Sequence, residues 1–432
     1  MDPSTPFTNT STRIRLLPES LANQIAAGEV VQRPASVVKE LMENALDAGS
    51  KRLILQLEDA GKKLIQLTDE GSGMSPLDAR MAFERHATSK LLTLEDLFSI
   101  QTMGFRGEAL ASIAAVAQVE LRTRLHAEEL GTLIRVEGGS VSAQESCATP
   151  CGTTIAVSNL FYNVPARRNF LKSNPVEMRH IHHEFARIAL AYPEFHFEFH
   201  HNGLAQQVLK PCKALDRIAA LSAIPHEALL ELHAPDEHLS IQGWILSPFQ
   251  NRGAKGEQYL WVNGRYIRST YLNHAIARAY ESVMQPMEQP AFFLHLTTDP
   301  RNIDINIHPT KTEIKFSDES RSYQLMFQAV RQALSNRLAA PPETTSRKLS
   351  QQVPKSSLSV ETDEGIKIRP GRPSSTTPPW LSKLEADVQP NKTVQNQWSA
   401  PPEVKSEENY AGSANLFDVE GWSIRQLDDQ LA

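Results

Sequence analysis

Residues 36–73 constrain this chain more strongly than any other stretch. In the first part, apolar residues recur at the spacing of one helix face: Val37, Val38, Leu41, Met42, Ala45 and Leu46. We predict a helix with its N-cap at Ser36 and its stop at Gly49, a residue suited to the C′ position. Polar residues recur on the opposite face: Glu40, Glu43, Asn44 and Asp47. Solvated helices often carry such a stripe, so the stripe alone does not identify a site.

Two strands and a glycine-rich turn are predicted to follow this helix. Apolar residues define the strands: Leu53, Leu55 and Leu57 in the first, and Leu64, Ile65 and Leu67 in the second. The second strand leads into Asp69, Gly71 and Gly73, and the two glycines allow a tight turn and a close approach to a ligand. Aspartate is also common in ordinary turns, so the role of Asp69 depends on its surroundings.

Glu-x-x-x-Asn on a helix followed by Asp-x-Gly-x-Gly resembles the nucleotide site of the GHKL ATPases. Longer segments are similar to the MutL family of mismatch repair proteins. They are residues 22–31, 85–90, 104–110, 160–168 and 307–311. One short motif would be weak evidence, but these segments share the family's order and spacing over roughly residues 14–340.

The resemblance implies an α+β fold: a GHKL (Bergerat) ATPase α/β sandwich, an α/β domain like domain 2 of ribosomal protein S5, and a disordered tail. We expect a flexible arm at 1–13, the ATPase domain at 14–215 and the S5-like transducer domain at 216–340. Residues 341–432 are rich in proline and serine, which favours a linker or a disordered tail.

Composition sets further bounds on the class of protein. The net charge of −6 means that any nucleic-acid surface would be a local groove rather than a general property of the chain. The three cysteines are an odd number in a long chain, which argues against a disulfide framework. No apolar run approaches the length of a membrane span, so we expect no membrane association and a cytoplasmic protein. The resemblance to the MutL family implies that it associates with the nucleoid during repair.

The resemblance assigns chemistry to the predicted helix and turn. Glu40 is the candidate general base that orients water, and Asn44 offers a neutral oxygen to Mg²⁺, whose other ligands are waters and phosphate oxygens. Asp69 is an acceptor suited to the exocyclic amine of adenine, while Gly71 and Gly73 let the base lie against the backbone. ATP and Mg²⁺ are therefore the expected substrate and cofactor.

Further residues are expected to close over the nucleotide. Glycines that precede a helix supply free backbone N–H groups for phosphate. The candidate phosphate-binding residues lie before this helix and in its first turn. They are Thr88, Ser89, Lys90, Gly104, Phe105, Arg106, Gly107, Glu108, Ala109 and Leu110. The resemblance also implies that Thr154 places a hydroxyl near the base and that Lys311 of the second domain reaches the terminal phosphate.

Arginines provide the candidate DNA contacts, mainly to the phosphate backbone. Arg265 and Arg268 are the first choice, while Arg167 and Arg168 suit either DNA or the domain joint. Some family members carry a further arginine near Thr270, which is absent here. A predicted helix at 176–191 also contains three histidines, and we expect a surface helix rather than a metal site because no carboxylate or cysteine completes a set.

The family resemblance implies an ATPase whose nucleotide-driven N-terminal dimerisation relays mismatch recognition by a MutS-like protein to a downstream nuclease and helicase. ATP hydrolysis would reset this switch. We expect the C-terminal dimerisation domain of the family to be lacking, together with its endonuclease motif. A signalling kinase that uses the same nucleotide pocket is an alternative function, but no phospho-acceptor histidine helix is predicted before residue 36. A non-hydrolysing scaffold is disfavoured by Glu40.

Overall fold

The computed structural model describes residues 16–90, 93, 102–104, 107–248, 257–285, 288–304 and 313–339. The expected arm at 1–13 and the expected tail at 341–432 lie outside the described residues. Among the helices in these ranges, none combines the length and the apolar character needed to cross a bilayer.

An eight-stranded sheet organises the first part of the described chain. Its strands are β1 (Arg52–Glu58), β2 (Leu64–Asp69), β3 (Gln118–Arg124), β4 (Gly131–Glu137), β5 (Ser140–Cys147), β6 (Gly152–Ser158), β7 (His196–His201) and β8 (Leu204–Leu209). They lie in the order β5-β4-β3-β6-β2-β1-β7-β8. Neighbours are antiparallel except β1 and β7, which are parallel. Strand β2, which ends at Asp69, therefore lies inside the sheet between β1 and β6.

Seven α-helices belong to this part of the described chain. They are α1 (Glu19–Val30), α2 (Pro34–Asp47), α3 (Pro76–Met81), α4 (Ala109–Val116), α5 (Pro165–Phe170), α6 (Asn174–Ala191) and α7 (Ala214–Ser222). Burial alternates along β1 and β2, so the predicted leucine pattern is confirmed. Leu41 of α2, Phe185 of α6 and Phe199 of β7 are each no more than 1% exposed and share one core. This packing fixes α2 against β2.

The bounds of α2 differ from the prediction at one end. The helix begins at Pro34 with Arg33 as N-cap, so Ser36 lies inside the helix and the predicted N-cap was wrong. Proline suits the first helical position because its ring fixes φ and its missing N–H would have no helical partner there. At the other end Ala48 is the C-cap and Gly49 follows with φ +76°, which confirms the predicted glycine stop.

One histidine of α6 is buried, which corrects the expected surface helix. His182 is 4% exposed, and its ring lies 4.7 Å from that of Phe199. Burial lowers the pKa of His182 to about 3, so the ring is neutral at physiological pH. It acts as a core residue of α6.

A five-stranded sheet organises the second part, in the order β12-β11-β13-β10-β9. Its strands are β9 (Leu229–Ala234), β10 (Ser240–Leu246), β11 (Gln258–Val262), β12 (Arg265–Ile267) and β13 (Phe292–Thr297). The helices α8 (Thr270–Tyr280) and α9 (Glu319–Ala339) pack together, and β14 (Ile303–Asp304) pairs with β15 (Lys315–Phe316). The mixed α+β architecture is as predicted.

The turn between β11 and β12 is a tight hairpin. Val262 pairs with Arg265, which leaves Asn263 and Gly264 as a two-residue hairpin loop with φ +49° and +82°. Positive φ at both positions is the geometry that an Asn-Gly turn favours.

The two sheets share a continuous apolar interior. Trp261 of β11 is 1% exposed and belongs to the same buried cluster as the first sheet, and its indole Nε1 donates to the backbone oxygen of Arg187 on α6 at 2.9 Å. The boundary expected after residue 215 falls inside α7, whose Ile218 and Leu221 are buried in that cluster. The second sheet begins at Leu229.

Candidate functional site

The polar face of α2 carries a tightly paired charge cluster. Lys39 places its Nζ 3.1 Å from a carboxylate oxygen of Glu40 and 3.1 Å from one of Glu43. Burial by itself would lower the pKa of Lys39, but the carboxylates of Glu43 and Glu40 outweigh it and raise that pKa, so the ammonium stays charged. Lys39 thus holds the side chain of Glu40 in place. Our sequence reading missed Lys39, although its i,i+4 spacing from Glu43 was a usable signal.

A second polar cluster lies one turn further along α2. Asn44 Oδ1 accepts from Lys90 Nζ at 3.3 Å, and the same ammonium lies 2.5 Å from Asp47 Oδ2. Asp47 also accepts from the backbone N–H groups of Met103 at 2.8 Å and Gly104 at 2.9 Å. The structure therefore brings Asn44, Lys90 and Gly104 together, with Asp47 as the common partner of Lys90 and Gly104.

Asp69 ends β2 in a buried position. It is 7% exposed, and its Oδ1 accepts from the backbone N–H of Gly71 at 2.8 Å. Burial raises the pKa of Asp69 to about 6, against the opposing effect of N–H groups from Gly71 and Thr153. At pH 7 and above Asp69 is therefore an ionised acceptor in a poorly solvated place, which suits recognition of an amine.

The turn after Asp69 needs its glycines. Gly73 has φ +69°, and a Cβ there would lie 2.1 Å from the backbone oxygen of Arg124. A Cβ on Gly71 would lie 2.8 Å from both the Ala48 Cβ and Asp69 Oδ1. Ser72 donates its N–H to the Ala48 backbone oxygen at 2.9 Å, so the turn is bonded to the C-terminal end of α2. The helix and the glycine turn therefore form one unit.

Thr154 does not face this turn, and that prediction was wrong by one residue. Asp69 pairs with Thr153 and Thr68 pairs with Thr154 across β2 and β6. Because side chains alternate between sheet faces, Thr153 shares the face of Asp69, whereas Thr154 bonds to the Thr68 hydroxyl at 3.1 Å on the other face. The Thr153 and Thr123 hydroxyls lie 3.0 Å apart, and Thr123 also accepts from the N–H of Met74 at 2.9 Å.

The segment expected to cover the phosphates is described in part. Thr88 caps its own turn by accepting from the Lys90 N–H at 3.1 Å. Gly107 has φ +62°, and a Cβ there would lie 2.3 Å from the Ala87 backbone oxygen. Helix α4 starts at Ala109 with Glu108 as N-cap. Phe105, Arg106 and Lys311 lie outside the described residues.

The two candidate DNA arginines differ sharply in exposure. Arg268 is exposed and stays a prediction. Arg265 is 6% exposed, and its Nη2 donates to the backbone oxygens of Thr102 and Met103, each at 2.8 Å. A guanidinium enclosed in this way does not face a duplex, so the predicted DNA contact of Arg265 does not fit the structure. Arg167 packs against Gly28 of α1, and Arg168 is exposed.

Comparisons with known proteins agree with this architecture. A family model described as "Histidine kinase-, DNA gyrase B-, and HSP90-like ATPase" matches residues 32–150, and one described as "DNA mismatch repair protein, C-terminal domain" matches residues 219–335. The fold and these two matches thus define a GHKL-type ATPase domain followed by a second α/β domain.

Sequence relatives narrow the class further. The chain is 51% identical over 329 residues to the DNA mismatch repair protein MutL of Christiangramia forsetii, covering 76% of this chain and 53% of that protein. It is 53% identical over 332 residues to MutL of Flavobacterium psychrophilum, covering 77% and 54%. The chain belongs to the MutL family of DNA mismatch repair proteins. It spans about half the length of the curated relatives that it matches.

Solved structures support the fold alone. The crystal structure of the N-terminal domain of a DNA repair protein is similar with a TM-score of 0.64 at 22% identity, covering 74% of this chain and all of that one. The ATPase domain of the Aquifex aeolicus mismatch repair endonuclease MutL is similar with a TM-score of 0.51 at 24% identity, covering 71% and 99%.

Proposed function

We propose that this chain binds and hydrolyses ATP as a switch in DNA mismatch repair. The observation that carries the proposal is the α2 unit: one helix presents Glu40 and Asn44, and its end is bonded to the turn after Asp69. A base, a metal-binding oxygen and an adenine acceptor are then positioned by one rigid element, which is how a nucleotide site gains catalytic power from orientation.

Each residue has a separate task in this scheme. Glu40, oriented by Lys39, accepts a proton from the attacking water. Asp69 accepts from the exocyclic amine of adenine, and guanine has a carbonyl at that position. Thr153 holds the glycine turn through Thr123. Lys90 provides an ammonium and the N-terminus of α4 provides N–H groups for the phosphates, and Gly104 leaves room beside the Lys90 ammonium because it has no side chain.

The residues at Asn44 suit a magnesium ion. Asn44 Oδ1 already faces a cation in the form of the Lys90 ammonium, and the side chain of Asp47 adds negative charge. Mg²⁺, when bound, neutralises phosphate charge. Asn44 would hold it, and Lys90 would turn from Asp47 toward a phosphate oxygen.

The proposed partners follow from family membership. They are a MutS-like recognition protein, a downstream nuclease and helicase, DNA contacted through its phosphates by Arg268, and a second copy of this chain. The proposed setting is the cytoplasm, on DNA. Apolar side chains at the N-terminal end support self-association, since Leu17 is 54% and Ile25 52% exposed.

Asn44→Ala tests the site directly. Without the amide oxygen, ATP binding is expected to lose most of its magnesium dependence and to weaken roughly tenfold or more. The measurement is ATP affinity and turnover across a Mg²⁺ titration. Asn273→Ala on α8 is the matched control and should behave as the wild type. Wild-type protein with no ATP turnover would refute the proposed function, and normal magnesium-dependent affinity in Asn44→Ala would refute this metal assignment.

Dimerisation is expected to depend on the nucleotide. The wild type should be a monomer alone and a dimer with a non-hydrolysable ATP analogue, because closure over the nucleotide would order the exposed apolar N-terminal segment against a second copy. Light scattering at several protein concentrations measures this directly. A monomer in both states would contradict the switch.

A further inference from the structure

The segment of residues 102–104 is held from two sides. On one side Asp47 of α2 accepts from the backbone N–H groups of Met103 and Gly104. On the other side Arg265 of β12 donates to the backbone oxygens of Thr102 and Met103. One anchor belongs to α2 and the other to the second sheet, so the segment connects the second sheet with α2.

The anchor from the second sheet is enclosed. Arg265 is 6% exposed, and one guanidinium nitrogen makes both bonds, while Nη1 is buried with no hydrogen-bond partner in the described structure. A buried guanidinium is costly unless its hydrogen bonds are strong, so these two bonds define where the side chain can lie. Arg265, Met103, Lys39 and Glu43 also line one cavity of about 20 Å³, which borders the polar face of α2.

The hairpin loop that precedes Arg265 is closely packed and has little room to move. A Cβ on Gly264 would lie 2.6 Å from the Tyr192 hydroxyl and 3.4 Å from the terminal methyl of Met103. The hairpin loop therefore contacts both the C-terminal end of α6 and the segment of residues 102–104. A displacement of β11 and β12 would move the Arg265 guanidinium and, through its two bonds, the backbone of that segment.

The other anchor leads to the proposed metal site. Asp47 Oδ2 binds both the Gly104 N–H and the Lys90 ammonium, which in turn contacts Asn44 Oδ1. A Cβ on Gly104 would lie 3.3 Å from Asn44 Oδ1, so the backbone at 104 lies directly beside that oxygen. The position of this segment thus affects the partners available to Asn44 and Lys90.

We infer that Arg265 is a positioning residue for the nucleotide site, acting from the second sheet through residues 102–104 and Asp47. This inference rests on the proposed function, since it concerns how that same site is set. It assigns Arg265 a role in coupling the position of the second sheet to ATP binding, in place of the DNA contact expected from the sequence.

A double-mutant cycle with Asp47 tests the inference. Arg265→Met removes both bonds and should raise the KM for ATP about tenfold with a smaller change in kcat. In an Asp47→Ala background the same substitution should change KM less than about twofold, because alanine has no acceptor for the Met103 and Gly104 N–H groups and the pathway is already interrupted. Arg265→Lys should recover part of the loss, and Arg301→Met, at an exposed arginine of the second part, is the matched control.

Hydrogen exchange supplies a readout that needs no ATP. Arg265→Met or Arg265→Lys should speed exchange at the Met103 and Gly104 amides of the nucleotide-free protein. Equal KM effects in both Asp47 backgrounds, or unchanged exchange at these amides, would overturn the inference while leaving the ATPase proposal intact. If Arg265→Met fails to fold, Arg265→Lys is compared with the wild type in the same two Asp47 backgrounds and by the same exchange measurement. A wild type that neither binds nor hydrolyses ATP would instead refute the proposed function.

Discussion

Glu40→Ala is expected to bind ATP with nearly wild-type affinity and to hydrolyse it about 10²–10⁴-fold more slowly. The proposed base acts on water rather than on the bound nucleotide, so its loss raises the barrier for hydrolysis with little effect on ground-state binding. The effect on hydrolysis should be separable from any effect on folding, because Lys39 keeps a second carboxylate partner in Glu43 when Glu40 is removed. The ammonium is therefore not left unpaired, and the fold of α2 should persist.

Glu43→Gln is the matched control for this prediction. It removes one carboxylate from the same Lys39 but leaves Glu40 in place, so turnover should fall by less than about tenfold. Single-turnover hydrolysis and equilibrium ATP binding measure the two effects separately. If Glu40→Ala retained more than a tenth of wild-type turnover, Glu40 would not be the general base.

Asp69→Asn is expected to stabilise the protein and to abolish useful ATP binding. The folded-state pKa of Asp69 is raised from 3.8 to about 6, so its contribution to stability is fully present below pH 3.8 and is lost as the pH rises through 6. At pH 8 the ionised group therefore costs about 3 kcal/mol, which a neutral amide does not incur. We expect the variant to gain about 1–3 kcal/mol of unfolding free energy at pH 8 and nothing at pH 3.5.

The same substitution damages recognition of adenine. An asparagine presents an NH₂ group where the base amine needs an acceptor, so the ATP dissociation constant should rise about 100-fold or more. Denaturant unfolding at two pH values and ATP titration are the measurements. Asp216→Asn, at a carboxylate 52% exposed on α7, is the control and should change neither quantity appreciably. A destabilised Asp69→Asn protein, or one with wild-type ATP affinity, would contradict the assignment.

Much of the fold was predictable because its signals are local. Alternating leucines in β1 and β2 and the apolar spacing in α2 need only the periods of a strand and a helix. Gly49 was predictable because few residues accept positive φ. Helix ends were less certain, since Ser36 and Pro34 are both plausible start signals and only packing decides between them.

The site was predictable where residue type limits the chemistry. A carboxylate and an amide one turn apart on α2, and an aspartate at the end of β2, could be recognised without coordinates. Thr153 and Thr154 could not be separated, because adjacent residues point to opposite faces and the face depends on pairing with β2. His182 was misjudged because its burial depends on Phe199 of another strand.

The sequence by itself determined family membership, the order of elements and the residue types that suit nucleotide chemistry, because these follow from local periodicity and motif spacing. Only the tertiary structure decided which side chains hold the nucleotide-site residues in position. Asp47 and Arg265 received their roles from backbone groups of residues 102–104, and the Arg265 bond to Thr102 spans 163 positions in the chain. Such contacts form only when packing brings distant segments together, so no local pattern could have predicted them.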